Sequence, residues 1–150
     1  MDTERITIRN FKHSDLEKLV EFKKESTGVS FPGRDFNEES FRRELLNRYS
    51  GDPESIKVAE MDGRVVGYVY FKITETAFGR SGVINHVFVD EEYRKIGLGQ
   101  KLMGIAEDYL KSRGLKRIRV TITKTNEPSL RMCRRLGYSE KRVVMEKELD

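Results

Sequence analysis

Between Val83 and Leu110 the hydrophobic period changes, and that change limits the folds open to the chain. Val83 to Val89 is nearly continuous apolar sequence, the pattern of a strand central in a sheet. After a short polar interval, Leu98, Leu102, Ile105, Ala106, Tyr109 and Leu110 recur at helical spacing, and Gly114 stands where such a helix would be capped. A buried strand that feeds an amphipathic helix requires the helix to pack back across a sheet, so a mixed α/β architecture is expected.

The flanking sequence fits that expectation. Ile6 and Ile8 alternate with polar residues as a short strand, and Ser14 or Asp15 caps a helix carrying Leu16, Leu19, Val20 and Phe22. Gly28, Pro32 and Gly33 mark a loop from Ser26 to Phe36, after which Asn37 caps a second helix through Phe41, Leu45 and Leu46, ending near Tyr49. Ile56–Met61 and Val65–Ile73 flank Asp62-Gly63, which suits a tight hairpin. Gly79 to Gly82 breaks the chain before the central strand. Beyond the long helix, Ile118, Val120 and Ile122 alternate as a strand, Asn126 and Pro128 open a helix that Gly137 stops, and a last strand is expected from Tyr138 to Leu149. The order is β-α-α-β-β-β-α-β-α-β, one mixed sheet with helices on both faces, and 150 residues suit a single domain over 1–150.

Several function classes are disfavoured at this stage. A single cysteine, Cys133, excludes an intramolecular disulfide, and two distant histidines, His13 and His86, give no metal-site spacing. A net charge of +4 suits anionic ligands but lacks the segregation of a nucleic-acid binder, so no nucleic-acid partner is expected. No apolar run approaches the roughly 20 residues that span a bilayer, and Met1 to Asn10 is charged, without the apolar core of a signal peptide. A cytoplasmic location with no membrane partner is expected. Met61, Met103, Met132 and Met145 are read as core fillers, and Glu25, Asp35, Glu38 and Glu39 as a solvated surface or the border of an acceptor groove.

The interval Asp90-Glu91-Glu92-Tyr93-Arg94-Lys95-Ile96-Gly97-Leu98-Gly99 carries the chemistry. The first amides of a helix lack intrahelical partners and the helix dipole adds positive potential, so a pyrophosphate fits there. Gly97 and Gly99 let the backbone approach, while Arg94 and Lys95 add charge at the rim. A plain turn with solvated basic residues is the alternative. Neither G-x-G-x-x-G nor G-x-x-x-x-G-K-[ST] is present.

Val87-Phe88-Val89 followed by Arg94-Lys95-Ile96-Gly97-Leu98-Gly99 resembles the acetyl-CoA signature [RQ]-x-x-G-x-[GA] of the GNAT acetyltransferases. Asn126 with Leu130, Leu136, Gly137 and Tyr138 is similar to the family's second motif, so the resemblance covers residues 83–138. It implies acetyl-CoA as cosubstrate, no metal, and transfer to an amine acceptor: a peptide, a protein N-terminus or a small amine. It also implies that pantetheine lies in a V-shaped gap between the Val83–Val89 and Leu115–Thr123 strands, held by backbone around Val87 and Val89, which also polarises the thioester carbonyl. Arg94 to Gly99 would cradle the pyrophosphate. Asn126 would contact the cofactor or serve as a helix cap. Members of the family often form homodimers, which extends here as an expectation.

Two family positions differ. The tyrosine expected seven residues after Asn126 is Cys133, read either as a thiol acid or as a small buried hydrophobe. The glutamate expected early on the central strand is Val83, which leaves His86 as the nearest candidate base, or as a structural histidine. Both departures keep a non-catalytic acyl-CoA sensor open as the alternative function.

Overall fold

The structure, a computed structural model, describes residues 5–150; residues 1–4, the start of the charged stretch Met1–Asn10, lie outside the described residues. β1 (Ile6–Asn10) leads into a short 3-10 turn, then α1 (Leu16–Ser30) and α2 (Glu38–Gly51). A meander follows of β2 (Ile56–Met61), β3 (Arg64–Thr76) and β4 (Gly79–Val89), then α3 (Leu98–Ser112), β5 (Ile118–Val120) and α4 (Glu127–Arg135). The five strands form one sheet in sequence order. The first four are antiparallel neighbours, and β4–α3–β5 is a crossover to a parallel pair.

Alternation along β3 builds two cores. Tyr68 and Tyr70 join Leu19, Phe22, Phe41, Leu45 and Phe88 beneath α1 and α2. Val69 and Phe71 join Ile84, Leu98, Leu102, Met103, Ala106, Leu110 and Cys133 beneath α3 and α4. The opposite faces of one strand thus fill the helix layers on either side of the sheet. At the hairpin, Asp62 and Gly63 both take positive φ (50° and 78°), as a two-residue turn matched to strand twist requires. Asp15, only 4% exposed, accepts both Arg9 Nη groups at 2.8 and 2.9 Å and the Lys12 N–H at 2.8 Å, fastening β1 to the start of α1. Burial alone would raise this carboxyl, but those hydrogen bonds hold it below its ordinary range.

Four expectations are corrected. Helix α1 does not stop at Ser26 but passes Gly28 and ends where Phe31 precedes Pro32, a position that disfavours helical backbone. The central strand begins at Gly79, the reversal being made by Ala77 and Phe78, so the glycines lie inside β4 instead of breaking it. Strand β5 is three residues long, not Leu115–Thr123.

The fourth correction concerns the strand expected over Tyr138–Leu149, which does not form. Val143, Val144 and Met145 are consecutive instead of alternating, and they stand 85, 76 and 88% exposed, so no single face is buried. The segment is tied to the α1–α2 loop by Arg34, which pairs with Glu146 and Glu148 at 3.3 and 3.6 Å. Met145 therefore fills no core gap, unlike Met103.

Candidate active site

The β4–β5 ladder is short. It contains Gly82↔Ile118, Val83↔Arg119 and Ile84↔Val120, whereas β4 continues five residues further, to Val89. The separation starts at a bulge. Against β3, His86 pairs with Tyr70 and Ile84 pairs with Phe71, so Asn85 is an extra residue on β4. A bulge bends its strand and increases the local twist, and from it onward Asn85–Val89 has no partner in β5. The result is an unpaired stretch of the β4 edge, with its apex beside the last β5 pair at Asn85 and its wide end, furthest along the strand from that pair, at Val89.

At the wide end the chain enters the basic loop. Arg94 donates from Nε to the Val89 carbonyl at 2.8 Å, with its guanidinium 5.3 Å above the Phe88 ring. Lys95 and Gly97 both take left-handed backbone, φ 67° and 83°. Alternating left-handed residues with ordinary ones gathers successive N–H groups into an anion-binding concavity. Gly97 is the N-cap of α3 and its carbonyl accepts first from the Lys101 N–H at 3.0 Å, leaving the amides of Leu98, Gly99 and Gln100 without helical acceptors. A Cβ on Gly99 would meet Met132 Sδ of α4 at 3.3 Å, so the loop lies close against that helix.

Near the apex, on the α1–α2 side, lies a polar cluster inside an aromatic layer. His86 Nε2 is 3.1 Å from Ser26 Oγ on α1, and its Nδ1 makes a short hydrogen bond with the Tyr68 hydroxyl. Burial raises the Tyr68 phenol well above its ordinary range, so it stays protonated and donates to Nδ1. That fixes the proton of the neutral imidazole on Nε2, from which it is donated to Ser26 Oγ. Burial, then the charge of Lys23, pulls His86 down to about 3. Burial also lowers the Lys23 ammonium, opposed by Glu44, which accepts the Tyr70 hydroxyl at 2.7 Å.

Histidine 86 thus binds its proton less readily in the folded chain than in the unfolded one. Its contribution to stability is complete above the ordinary pKa of about 6.5 and is lost as pH falls toward about 3. Thermal melts from pH 7 to 4 should show a steeper loss for wild type than for His86→Gln. Parallel pH dependences would place the histidine in a solvated setting.

The other expected residues separate by location. Phe88 is 8% exposed and packs on Phe22 at 4.7 Å between ring centroids, so only its backbone faces the gap, while the Val87 and Val89 side chains pack toward the α3 core. Leu98 anchors α3 in that core and Ile96 packs beside it. Asn126 caps α4, its side-chain oxygen accepting the Ser129 N–H at 3.3 Å. Cys133 is 4% exposed within the α3–α4 core, and burial, then Glu107, raises its thiol. It lies across the sheet from the His86 cluster. The sequence reading did not find Asn85, Ser26, Tyr68 or Lys23. The available signal was Asn85-His86 interrupting an apolar run, a polar pair that marks a bulge or a site. Among the described residues no cluster of metal-ligating side chains is present, and no helix is long and apolar enough to cross a membrane.

Comparison with known proteins places this geometry. The family model described as acetyltransferase (GNAT) family matches residues 16–138. An uncharacterized N-acetyltransferase of Methanocaldococcus jannaschii is 26% identical over 147 residues, covering 92% of this chain and 62% of that protein. The chain therefore spans under two thirds of that relative's length. The catalytic subunit of the N-terminal acetyltransferase B complex of Arabidopsis thaliana is 31% identical, over 88% of this chain and 72% of its own. A crystal structure of a predicted acetyltransferase from Clostridium acetobutylicum with acetyl-CoA has the same fold, with a TM-score of 0.79 at 15% identity over 95% of this chain and 96% of the other. Matched by that family model over residues 16–138, with a β4 edge that runs unpaired past its short β5 ladder and a glycine loop at the start of α3, the chain belongs to the acetyltransferase (GNAT) family.

Proposed function

We propose that this chain, as a single domain, transfers the acetyl group of acetyl-CoA to a primary amine, with peptide or protein N-termini favoured over small amines. The observation that carries the reading is the unpaired edge of β4, which runs from the bulge at Asn85 to the left-handed loop at Lys95 and Gly97. Backbone groups around Val87 and Val89 pair with the pantetheine amides and polarise the thioester carbonyl. The amides at the start of α3, with Arg94 and Lys95, take the pyrophosphate. That polarity puts the thioester toward the apex.

The neutral amine attacks the carbonyl carbon, the C–S bond breaks, the amine proton passes to water and the thiolate takes a proton from water. His86 is neutral and already donates to Ser26, so it orients α1 over the apex instead of removing the proton. Cys133, buried with a raised thiol, serves packing. The preference for N-termini rests on the Arabidopsis relative's name and on the lower pKa of an α-amine, about 8 against about 10.4 for lysine, which needs less help from a base.

The test is incubation with acetyl-CoA and a panel of peptides, lysine-containing peptides and small amines, read by free thiol release and by mass. Acetylated N-termini with matching thiol release are expected, and the acid limb of kcat/KM should follow the acceptor amine instead of a histidine near 6.5. Saturable cofactor binding with no acetylated amine would mark a sensor module.

A further inference from the structure

One buried polar atom has no partner among the described residues: the side-chain oxygen of Asn85. It belongs to the extra residue of the β4 bulge, one position past Ile84↔Val120, the last pair with β5. A buried acceptor without a donor destabilises the free protein, so such an atom at the apex of a binding gap points to a donor that arrives with a ligand. The backbone supplies no other reason for asparagine here, because only Asp62 and Lys95 among the described non-glycine residues take left-handed φ.

We infer that the Asn85 side-chain oxygen accepts an N–H of the incoming amine and thereby aims its lone pair at the thioester carbon. This rests on the proposed function. The loop at the wide end fixes the phosphate end of the cofactor, so the acyl end lies at the apex. The pantetheine amides lie further along β4, toward Val89, which leaves the nucleophile as the N–H donor that reaches Asn85. The ionisable groups around β4 include Lys23 on α1, Glu44 on α2, Tyr68 and Tyr70 on β3 and His86 on one side of the sheet, and Glu107 and Tyr109 on α3, Cys133 on α4 and Tyr138 beyond it on the other. None of them holds the oxygen. Asn85 is therefore assigned as a substrate-contacting residue that selects primary amines able to donate while they attack.

The experiment begins with wild type, whose turnover with acetyl-CoA and the amine panel tests the proposed function by itself; no turnover would sink that reading and this inference together, before any variant is made. With an acetylated amine in hand, Asn85→Leu is predicted to raise the amine KM or lower kcat/KM for the amine about tenfold while the acetyl-CoA KM is unchanged, with a melting temperature equal to or above wild type. Asn85→Asp places a carboxylate beside the ammonium, raises the amine's pKa and moves the acid limb of kcat/KM to higher pH. Asn85→Leu with wild-type kinetics would overturn the inference. An effect on the acetyl-CoA KM alone would give the oxygen to the cofactor and overturn it equally. A marked drop in melting temperature would mean that the oxygen is partnered in the free protein, with the same consequence.

Discussion

Replacing Gly97 and Gly99 together by glutamate is expected to weaken acetyl-CoA binding at least about 100-fold while the fold is retained, an effect on the order of 2.7 kcal/mol. Gly97 sits at φ 83°, where any L side chain costs roughly 1–2 kcal/mol, and the strain would relax by turning its N–H away from the concavity. Space is not limiting there, because nothing lies within 4 Å of a Cβ on Gly97. At Gly99 the nearest atom is Met132 Sδ at 3.3 Å, the mobile part of a flexible side chain, so α4 yields by a small amount. The loss of affinity then comes from two carboxylates placed among the amides proposed to receive phosphate. Calorimetric titration of both proteins measures it, and circular dichroism checks the fold. Equal affinities would show that the loop is a turn and nothing more.

Gly67→Ala should destabilise the protein by about 1–3 kcal/mol, the largest stability effect expected of a single added methyl in this chain. The Cβ would stand 2.8 Å from the Phe88 carbonyl oxygen and 3.5 Å from Val89 Cα. Both are backbone atoms of β4 and cannot rotate aside, so β3 and β4 must separate where β4 forms the wall of the gap. Gly104→Ala is the matching control. It lies inside α3 with nothing within 4 Å of its Cβ, and should stabilise by roughly 0.4–1 kcal/mol through the unfolded chain. Urea melts of the two variants should move in opposite directions, and Gly67→Ala should also bind acetyl-CoA less tightly. A neutral Gly67→Ala would mean that the two strands approach less closely than described.

The loop glycines Gly97 and Gly99, set against Gly67, mark how far the sequence was legible. The turn at Lys95–Gly97 and the start of α3 were readable because their signals are local: glycine spacing, basic residues and the first apolar residues of the helix lie within one short stretch. The hairpin at Asp62-Gly63, the caps at Asn37 and Asn126 and the stripe of α3 were legible for the same reason. Gly67 was not, since its role depends on Phe88, a strand away. The bulge at Asn85 was equally hidden. It breaks the side-chain alternation along β4, so His86 shares a face with Tyr68 instead of the face that simple alternation from Ile84 assigns it. The polar cluster combines residues from α1, α2, β3 and β4, a juxtaposition set by packing. The expected last strand failed for a related reason: Val143–Met145 has strand composition, but a strand forms only where an edge and a buried face await it.

If acetyl-CoA lies along the free edge of β4, amide hydrogen exchange of residues 85–89, measured with and without the cofactor, reports it. The unpaired amides of this stretch, together with those of Leu98–Gln100, are expected to exchange more slowly when acetyl-CoA is bound. Saturable binding that leaves both stretches unchanged would contradict that placement.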